Sequence, residues 1–173
     1  HDRATEAPLH GPKVLYAASE MAPLIKTGGL ADVAGSLPAA LNELGCDVRV
    51  VLPYYGDLVM HAGTLRTLQK AHIRGHDIEI LETTALHNQR VWLVACPELF
   101  GRRGNPYLGP DGRDWPDNAD RFTLFADTIA WLATETIERG YHADIVHLND
   151  WQTALAAALL ARRPGSPPTV FSI

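Results

Sequence analysis

The sequence predicts an α/β domain built on a largely parallel sheet. Short apolar runs typical of buried strands alternate along the chain with amphipathic segments at helical spacing. The length of 173 residues suits one domain with a sizeable core. The composition, 46% hydrophobic and 20% charged, is that of a soluble globular protein.

The first predicted unit is a strand, a glycine-rich turn and a helix. Residues 14–18 form a short apolar run, and residues 26–30 (KTGGL) form the turn. Apolar side chains then recur on one helix face, and Gly45 stands where a glycine commonly ends a helix. The predicted buried face of this helix consists of Leu30, Val33, Ala34, Leu37, Leu41 and Leu44.

Two interpretations of the glycine turn remain open. A strand, a Gly-Gly turn and a helix N-terminus expose backbone N–H groups and the positive end of the helix dipole, and Lys26 adds a cation. That combination predicts an anion site for a phosphate-bearing ligand. Alternatively, Gly28 and Gly29 only supply unusual backbone angles for a tight connection. The turn has neither the G-x-G-x-x-G spacing of dinucleotide-binding domains nor the G-x-x-x-x-G-K-[ST] spacing of P-loops.

The middle of the chain predicts a second strand followed by a different kind of insertion. Residues 47–53 (DVRVVLP) form another apolar run and are assigned to the parallel sheet. Ile73, Ile78, Ile80 and residues 91–94 lie in short strand-like runs that polar turns interrupt. These runs predict a β-hairpin insertion or a set of edge strands.

A long loop and a long helix come next. Residues 101–118 are rich in Gly, Pro, Asp and Arg, and connections of this length in a compact domain are often functional. The helix that follows is predicted to end at Gly140. Its predicted buried stripe consists of Phe122, Phe125, Ala126, Ile129, Ala133 and Ile137.

The last third of the chain predicts one more βα unit and a final strand. Residues 143–148 form a strand that runs directly into residues 149–152 (NDWQ), and a helix is expected over 151–162. Residues 169–173 form the last strand, and nothing follows it in the chain. We therefore expect the chain to be part of a larger protein.

Composition and charge exclude several classes of function. The formal net charge is −5 without a basic patch, which argues against nucleic-acid binding, and no apolar run approaches the length of a membrane span. Cys46 and Cys96 are expected to be buried free thiols of a cytoplasmic protein. The histidines lack a metal-ligand spacing, so no metal is assigned. Residues 1–12 are expected to be a flexible leader before a domain of residues 13–173.

Polar and aromatic side chains cluster where the predicted parallel strands end. Ligands bind at the carboxyl ends of the strands in such sheets, and both the glycine turn and residues 149–152 fall there. Carboxylates and amides bridge vicinal hydroxyls, and an indole covers an apolar sugar face, so the pattern favours a carbohydrate ligand. The candidate residues are Glu20, Asp32, Tyr107, Asn118, Asn149, Asp150, Trp151 and Gln152.

Structural alternatives exist for several of these residues. Asp150 is at least as well suited to cap the following helix, and Trp151 to pack that helix on the sheet. Asp32 is suited either to complement a helix dipole or to orient Lys26. The loop that carries Tyr107 is alternatively an ordinary surface loop anchored by aromatic residues.

Four segments, in order, resemble the bacterial glycogen synthase and plant starch synthase family. The first is residues 19–33 (SEMAPLIKTGGLADV), and the second is residues 47–55 (DVRVVLPYY). The third is the loop of residues 104–122, with GNPYL, DN and RF, and the fourth is residues 147–152 (HLNDWQ). The resemblance extends from about Lys13 to the end of the chain, and four ordered motifs are far more specific than one glycine turn.

The resemblance implies a Rossmann-like, doubly wound domain that forms the N-terminal half of a two-domain GT-B glycosyltransferase. Such enzymes transfer glucose from ADP-glucose to the non-reducing end of an α-1,4-glucan such as glycogen, with retention of configuration. The expected partners are this donor, the glucan acceptor and the C-terminal domain, which this chain lacks. Neither a cofactor nor a metal is expected, and the chain alone is expected to be inactive.

The resemblance also assigns roles to residues. It places Lys26 against the sugar nucleotide, with the backbone of Gly28 and Gly29 near the phosphate and glucose. The expected catalytic residues are Lys26, Asp32 and Asp150. The expected substrate-binding residues are Lys26, Gly28, Gly29, Glu20, Tyr107, Asn118, Asn149, Asp150, Trp151 and Gln152.

The chain departs from the family pattern in places. Many members have a histidine at the position of Gln152, so no acid–base role is transferred to it. Members also continue past the last strand into a His-Asn pair of the donor site. The alternative function is a non-catalytic glucan-binding module of the same fold. A nicotinamide-dependent oxidoreductase is disfavoured because the G-x-G-x-x-G turn is missing.

Overall fold

A computed structural model describes residues 11–56, 58 and 63–173. The described strands are β1 (Lys13–Ala17), β2 (Asp47–Pro53), β3 (Arg66–Ile73), β4 (His76–Thr84), β5 (Arg90–Ala95), β6 (Ile145–Asn149) and β7 (Thr169–Ser172). The described α-helices are α1 (Gly29–Glu43), α2 (Pro97–Phe100), α3 (Asn118–Thr134) and α4 (Trp151–Ala161).

The strands form one sheet in the order β3-β4-β5-β2-β1-β6-β7. The five strands from β5 to β7 pair in parallel, whereas β3, β4 and β5 pair antiparallel. The prediction of a mostly parallel sheet with a β-hairpin insertion is therefore confirmed. The hairpin extends the sheet at one edge, and its outer strand β3 is mostly exposed.

The parallel strands create a crevice at the centre of the sheet. From β1 the chain crosses to β2 on one side, whereas β6 and then β7 are added on the other side. The segments that leave the carboxyl ends of β1 and β6 therefore diverge, which opens a crevice between them. Residues 18–28 follow β1 and residues 150–152 follow β6, so both predicted motifs flank this switch point.

Burial along the central strands is nearly continuous, as expected for a sheet covered on both faces. In β2, all residues after Asp47 are buried, and in β1 all residues after Lys13 are buried. The helix α3 buries the predicted stripe from Phe122 to Ala133. The predicted end of α3 at Gly140 is wrong, because the helix ends at Thr134 and an extended residue follows it.

The predicted buried face of α1 is only partly correct. The buried residues of this helix are Ala31, Ala34 and Pro38, whereas Val33 is 48% exposed and Leu44 is 81% exposed. The other predicted residues of this face are half-buried: Leu30, Leu37 and Leu41. Small side chains bring the helix backbone close to its neighbours, so the leucines lie at the sides of the contact.

Residues 1–10 of the predicted leader lie outside the described residues, and the Gly11 amide donates to the Gly45 carbonyl at 2.9 Å. Cys96 is buried as predicted, whereas Cys46 is only partly buried, and both are free thiols. In the part of the chain that the structure describes, no helix has the length and apolarity needed to cross a membrane.

A partly buried ion-pair network joins β2 to the loop that follows α3. Arg49 on β2 is 5% exposed and pairs with Glu138 of that loop and with Asp47, whose Oδ1 lies 3.0 Å from its Nε. The guanidinium carbon of Arg49 also lies 4.3 Å from the ring centroid of Tyr141. These contacts satisfy the buried charge and fix the loop against the sheet.

Glu82 on β4 extends this network into the hairpin. Its carboxylate accepts hydrogen bonds from Arg66 (2.8 Å), Arg90 (3.1 Å) and the Trp92 indole (2.9 Å). Burial acts to raise the pKa of Glu82, but these hydrogen bonds outweigh it and lower the pKa to about 2. The ionised form therefore stabilises the folded state.

We expect Glu82→Gln to lower the free energy of unfolding by about 2 kcal/mol at neutral pH, because charge-assisted hydrogen bonds are lost. The folded-state pKa lies below the unfolded value of about 4.3, so this stabilisation is present above that pH and decreases as the pH falls towards 2. Denaturant unfolding across this range should show a shallower pH dependence for the variant. Glu43→Gln, at an exposed site, is the control; equal slopes for wild type and Glu82→Gln would contradict the prediction.

Candidate functional site

The glycine turn after β1 leaves open space at the start of α1. Gly28 has φ of −158°, an extended backbone that any residue adopts, and a Cβ there would have ordinary contact with Glu20 at 3.8 Å. A Cβ on Gly29 would meet no described atom within 4 Å. The alternative that these glycines supply unusual backbone angles is therefore wrong. Their lack of side chains leaves room for a ligand to approach the backbone.

The N-terminus of α1 is not capped by any described side chain. The Ala31 amide donates to the Gly28 carbonyl at 3.3 Å, so the Gly29 and Leu30 amides and the positive end of the helix dipole remain available to an anion. Lys26 lies beside this helix end, and its Nζ makes contacts of 2.7 and 2.8 Å with the two carboxylate oxygens of Asp32. The two side chains are 53% and 59% exposed, so the ion pair holds the cation in solvent near the open amides.

The buried Glu20 side chain holds the glycine-rich turn in its conformation. It is 2% exposed, and its Oε2 accepts a hydrogen bond from the Thr27 amide at 3.0 Å and another from the Thr27 hydroxyl. A buried carboxylate that accepts two hydrogen bonds is an effective anchor. Glu20 thus fixes the residue between Lys26 and Gly28.

Two tyrosines contact Ser19 after the end of β1: Tyr107 from the long loop of residues 101–117 and Tyr55 from the segment that follows β2. The Tyr107 hydroxyl and the Ser19 hydroxyl lie 2.7 Å apart, and the buried Tyr55 hydroxyl donates to the Ser19 carbonyl at 2.7 Å. Burial raises the pKa of Tyr107 far above its usual value, and the nearby charges of Glu20 and Asp150 act in the same direction. Tyr107 therefore remains a neutral hydrogen-bonding group between the segments that follow β1 and β6.

Arg121 in the first turn of α3 organises the same loop. It is 1% exposed and donates to the carbonyls of Leu99 (2.6 Å) and Pro106 (2.8 Å) and to the Asn118 side-chain oxygen (2.7 Å). The Asn118 amide in turn donates to the Tyr107 carbonyl at 2.9 Å. Asn118 is therefore oriented from both ends of its side chain.

Asp150 occupies an unusual backbone conformation between β6 and α4. Its φ of 65° and ψ of 178° fall in a region that is essentially restricted to glycine. Its Oδ1 accepts a hydrogen bond from the Trp151 amide at 2.9 Å, so the capping role is present. The preceding Asn149 is buried and donates to the Ala17 carbonyl at 2.9 Å, which joins β6 to β1.

Three predicted site residues line a small pocket beside the crevice. Asn118, Trp151 and Gln152 share a pocket of about 160 Å³ with Phe122 and Leu155. Trp151 is 56% exposed and meets Phe122 edge-to-face with ring centroids 5.3 Å apart. The buried Oε1 of Gln152 has no hydrogen-bond partner among the described residues, which leaves an acceptor free for a ligand or another part of the protein.

The structure thus groups the predicted residues into two adjoining sets. Lys26, Asp32 and the two glycines form the anion side, with Glu20 beneath them. The carbohydrate side comprises Tyr107, Asn118, Asn149, Asp150, Trp151 and Gln152. The side-chain amide of Asn149 donates to the Ala17 carbonyl within the sheet, and its role in binding stays a prediction.

Sequence reasoning missed residues that hold the site together. Ser19, Tyr55 and Arg121 do not belong to the predicted site, yet they position the strand end and the loop. Their only signal was membership of the ordered motifs. A buried arginine in a helix cannot be distinguished from an exposed one without its tertiary partners.

The fold and the crevice define a doubly wound α/β domain whose ligand site lies at the switch point of a parallel sheet. An uncapped helix end with a cation lies on one side of this crevice, and polar and aromatic groups lie on the other. Comparison with known proteins identifies a family with this fold. The sequence model of the starch synthase catalytic domain family matches residues 13–173, and the chain belongs to this family.

The chain is 49% identical over 166 residues to a glycogen synthase of Thioalkalivibrio sulfidiphilus, covering 93% of this chain and 34% of that protein. It is 46% identical over 163 residues to glycogen synthase 1 of Methylococcus capsulatus, covering 93% and 33%. The chain therefore spans about a third of the length of the curated relatives it matches.

A solved structure supports the same assignment. The catalytic domain of starch synthase IV from Arabidopsis thaliana, bound to ADP and acarbose, matches with a TM-score of 0.76 and 29% identity. The match covers 93% of this chain and 33% of that one. The expected Rossmann-like fold of GT-B glycosyltransferases is thereby confirmed for this domain.

Proposed function

We propose that this chain is the part of a glycogen synthase that binds the phosphate and glucose of ADP-glucose and faces the glucan acceptor. The full protein would transfer glucose, with retention, to the non-reducing end of an α-1,4-glucan. The observation that supports this most directly is the unfilled space at Gly28 and Gly29, beside an uncapped helix end and Lys26. The bound ADP and acarbose of the starch synthase IV structure support the same ligand classes.

The anion side has the chemistry that the leaving group requires. When the bond between glucose and diphosphate breaks, negative charge develops on the diphosphate. The Lys26 cation and the amide dipoles at the start of α1 would stabilise the charge on the diphosphate, so transfer needs no strong protein base. Asp32 holds Lys26 in place, or exchanges this contact for a sugar hydroxyl when the donor binds.

The carbohydrate side supplies shape and hydrogen bonds to glucose units. The exposed Trp151 offers an apolar face, Asn118 and Gln152 offer amides, and Asp150 offers a carboxylate. Trp151 is exposed, Asn118 and Asp150 are half-buried and Gln152 is buried, so the groups run from the protein interior to the surface, which suits a chain of sugar residues. The remaining donor contacts are assigned to a C-terminal domain, and the cytoplasm is the compartment that we expect.

The test is a transfer assay on the full-length protein that carries this chain. Labelled glucose would be followed from ADP-glucose and from UDP-glucose to glycogen. We expect transfer from ADP-glucose, and we expect Lys26→Ala to reduce it by about tenfold to 10²-fold, because a half-exposed cation contributes less than a buried donor. Lys70→Ala, an exposed lysine on β3, is the matched control and should retain activity.

The outcomes separate the two functions. Transfer that depends on Lys26 and not on Lys70 supports the enzyme and the anion site together. Glycogen binding without transfer from either donor would instead establish the glucan-binding module. Normal transfer in Lys26→Ala would leave the enzyme but remove Lys26 from the donor site.

A further inference from the structure

Three potential metal ligands converge on the hairpin side of the sheet, outside the crevice. His76 begins β4, Cys96 directly follows β5, and Glu98 lies in the first turn of α2. Their nearest ligand atoms all lie within 4.8 Å of one another. Imidazole, thiol and carboxylate in one cluster form a mixed donor set, unlike the purely acidic groups common on protein surfaces.

The register of the hairpin explains why these residues meet. Glu79 pairs with Ala95 in the antiparallel ladder between β4 and β5. Continuing this register by one residue brings Ile78 opposite Cys96, and Glu98 follows two residues later in the first turn of α2. Paired residues share a face of the sheet, so His76 and Cys96 lie on the face of the buried Ile78.

The distances are close to those that a metal centre requires. The Cys96 Sγ lies 3.8 Å from Glu98 Oε1, and His76 Nδ1 is in direct contact with the same oxygen. Ligands about 2.0 to 2.3 Å from a tetrahedral zinc ion are separated from each other by about 3.3 to 3.8 Å. Binding of an ion would therefore separate His76 Nδ1 from Glu98 Oε1 and bring the third pair, which lies within 4.8 Å, closer together by side-chain rotation.

We propose that His76, Cys96 and Glu98 form a zinc-binding site, with water as the fourth ligand. Thiolate and imidazole favour Zn²⁺ over Mg²⁺ or Ca²⁺, which prefer sets of oxygen ligands. The side chains of Glu98 and His76 are 61% and 29% exposed, so a hydrated ion has a path to the buried sulfur. No metal was expected from the sequence, because the histidines show no metal-ligand spacing and His76 lies 20 residues before Cys96.

The site would connect the hairpin to the long loop of the crevice. Glu98 lies in the helix that leads into this loop, and its carbonyl accepts a hydrogen bond from Arg102 at 3.0 Å. Burial raises the pKa of the Cys96 thiol to about 11, and the charge of Glu98 adds to this effect. A bound ion therefore has to displace the thiol proton.

The test uses Co²⁺ as a spectroscopic probe and Zn²⁺ as its competitor, on the full-length protein under reducing conditions. We expect one equivalent of Co²⁺ to give tetrahedral d–d bands and a thiolate charge-transfer band, and Zn²⁺ to displace it. Cys96→Ser should abolish the charge-transfer band. His76→Ala and the surface variant Glu98→Gln should each weaken Co²⁺ binding by at least about tenfold.

Two matched variants serve as controls. Cys46→Ser removes the other thiol, and His72→Ala removes an exposed histidine that pairs with Asp77 in the same hairpin. Both should bind Co²⁺ as the wild type does. Absence of a charge-transfer band in folded wild-type protein would overturn the proposal, as would a band that survives Cys96→Ser or is lost in Cys46→Ser. Glu98→Gln provides an independent test if the buried-site variants fail to fold.

Discussion

Replacing Gly28 and Gly29 together by alanine should reduce glucose transfer by more than about 10²-fold while leaving the fold intact. Neither position needs glycine for its backbone, and neither added Cβ would clash with the described protein atoms. The cost therefore falls on the ligand, because a methyl group would displace the phosphate from the helix N-terminus, and displacements of about 1 Å cost about 10²-fold in rate. The measurement is steady-state transfer from ADP-glucose to glycogen, together with thermal unfolding.

Gly35→Ala is the matched control for this experiment, since it adds the same methyl group in the same helix. A Cβ at Gly35 would lie 2.7 Å from the Ala22 carbonyl oxygen, a contact that something must move to relieve. We expect this variant to lose stability, by about 1–3 kcal/mol, as overpacked sites do. Normal transfer in the Gly28/Gly29 double variant would show that the ligand does not approach these glycines, whereas a stability loss as large as that of Gly35→Ala would show that they are structural.

The second large effect concerns stability. Arg121→Met should lower the free energy of unfolding by about 3–5 kcal/mol, in the range for breaking buried polar networks. Methionine preserves much of the length of the side chain but leaves the carbonyls of Leu99 and Pro106 and the oxygen of Asn118 without their donor. Buried acceptors that lose their partners retain the full desolvation cost.

Chemical denaturation of the variant and of Arg139→Met would measure this effect. Arg139 is exposed in the loop after α3, so its replacement should change stability by less than about 0.5 kcal/mol. We also expect Arg121→Met to impair transfer in the folded fraction, because the loop that carries Tyr107 and Asn118 loses its anchor. A stability change equal to that of Arg139→Met would mean that water or a rearranged loop satisfies the exposed carbonyls.

Gly28, Gly29 and Gly35 differ in the space around each Cβ, a property that the sequence does not reveal. All three are glycines within eight residues, and the sequence allowed the first two to be either structural or functional. Backbone angles and the space around each Cβ separate them: the first two are open, and Gly35 is closed by a carbonyl oxygen. The same limit applies to α1, where periodicity identified an apolar helix but not which apolar residues are deepest.

Some features of the candidate site were also predictable from the sequence, whereas others were not. The glycine turn and the NDWQ segment were predictable as candidate site residues, because they lie at or after strand ends and have a characteristic chemistry. Asp150 was left between a capping role and a binding role, and the structure shows the cap together with a strained backbone at that residue. Strain of this kind has no signal in a sequence, since it depends on what the strand β6 and the helix α4 impose at their junction.

The sequence by itself determined the fold class, the hairpin insertion and the positions of the glycine turn and the NDWQ segment, because periodicity and turn chemistry are local properties. Only the tertiary structure decided how distant segments meet. The sheet order brought the ends of β1 and β6 to one crevice, Arg121 anchored the loop, and strand register assembled His76, Cys96 and Glu98. Such contacts join residues far apart in the chain, and no local pattern encodes them.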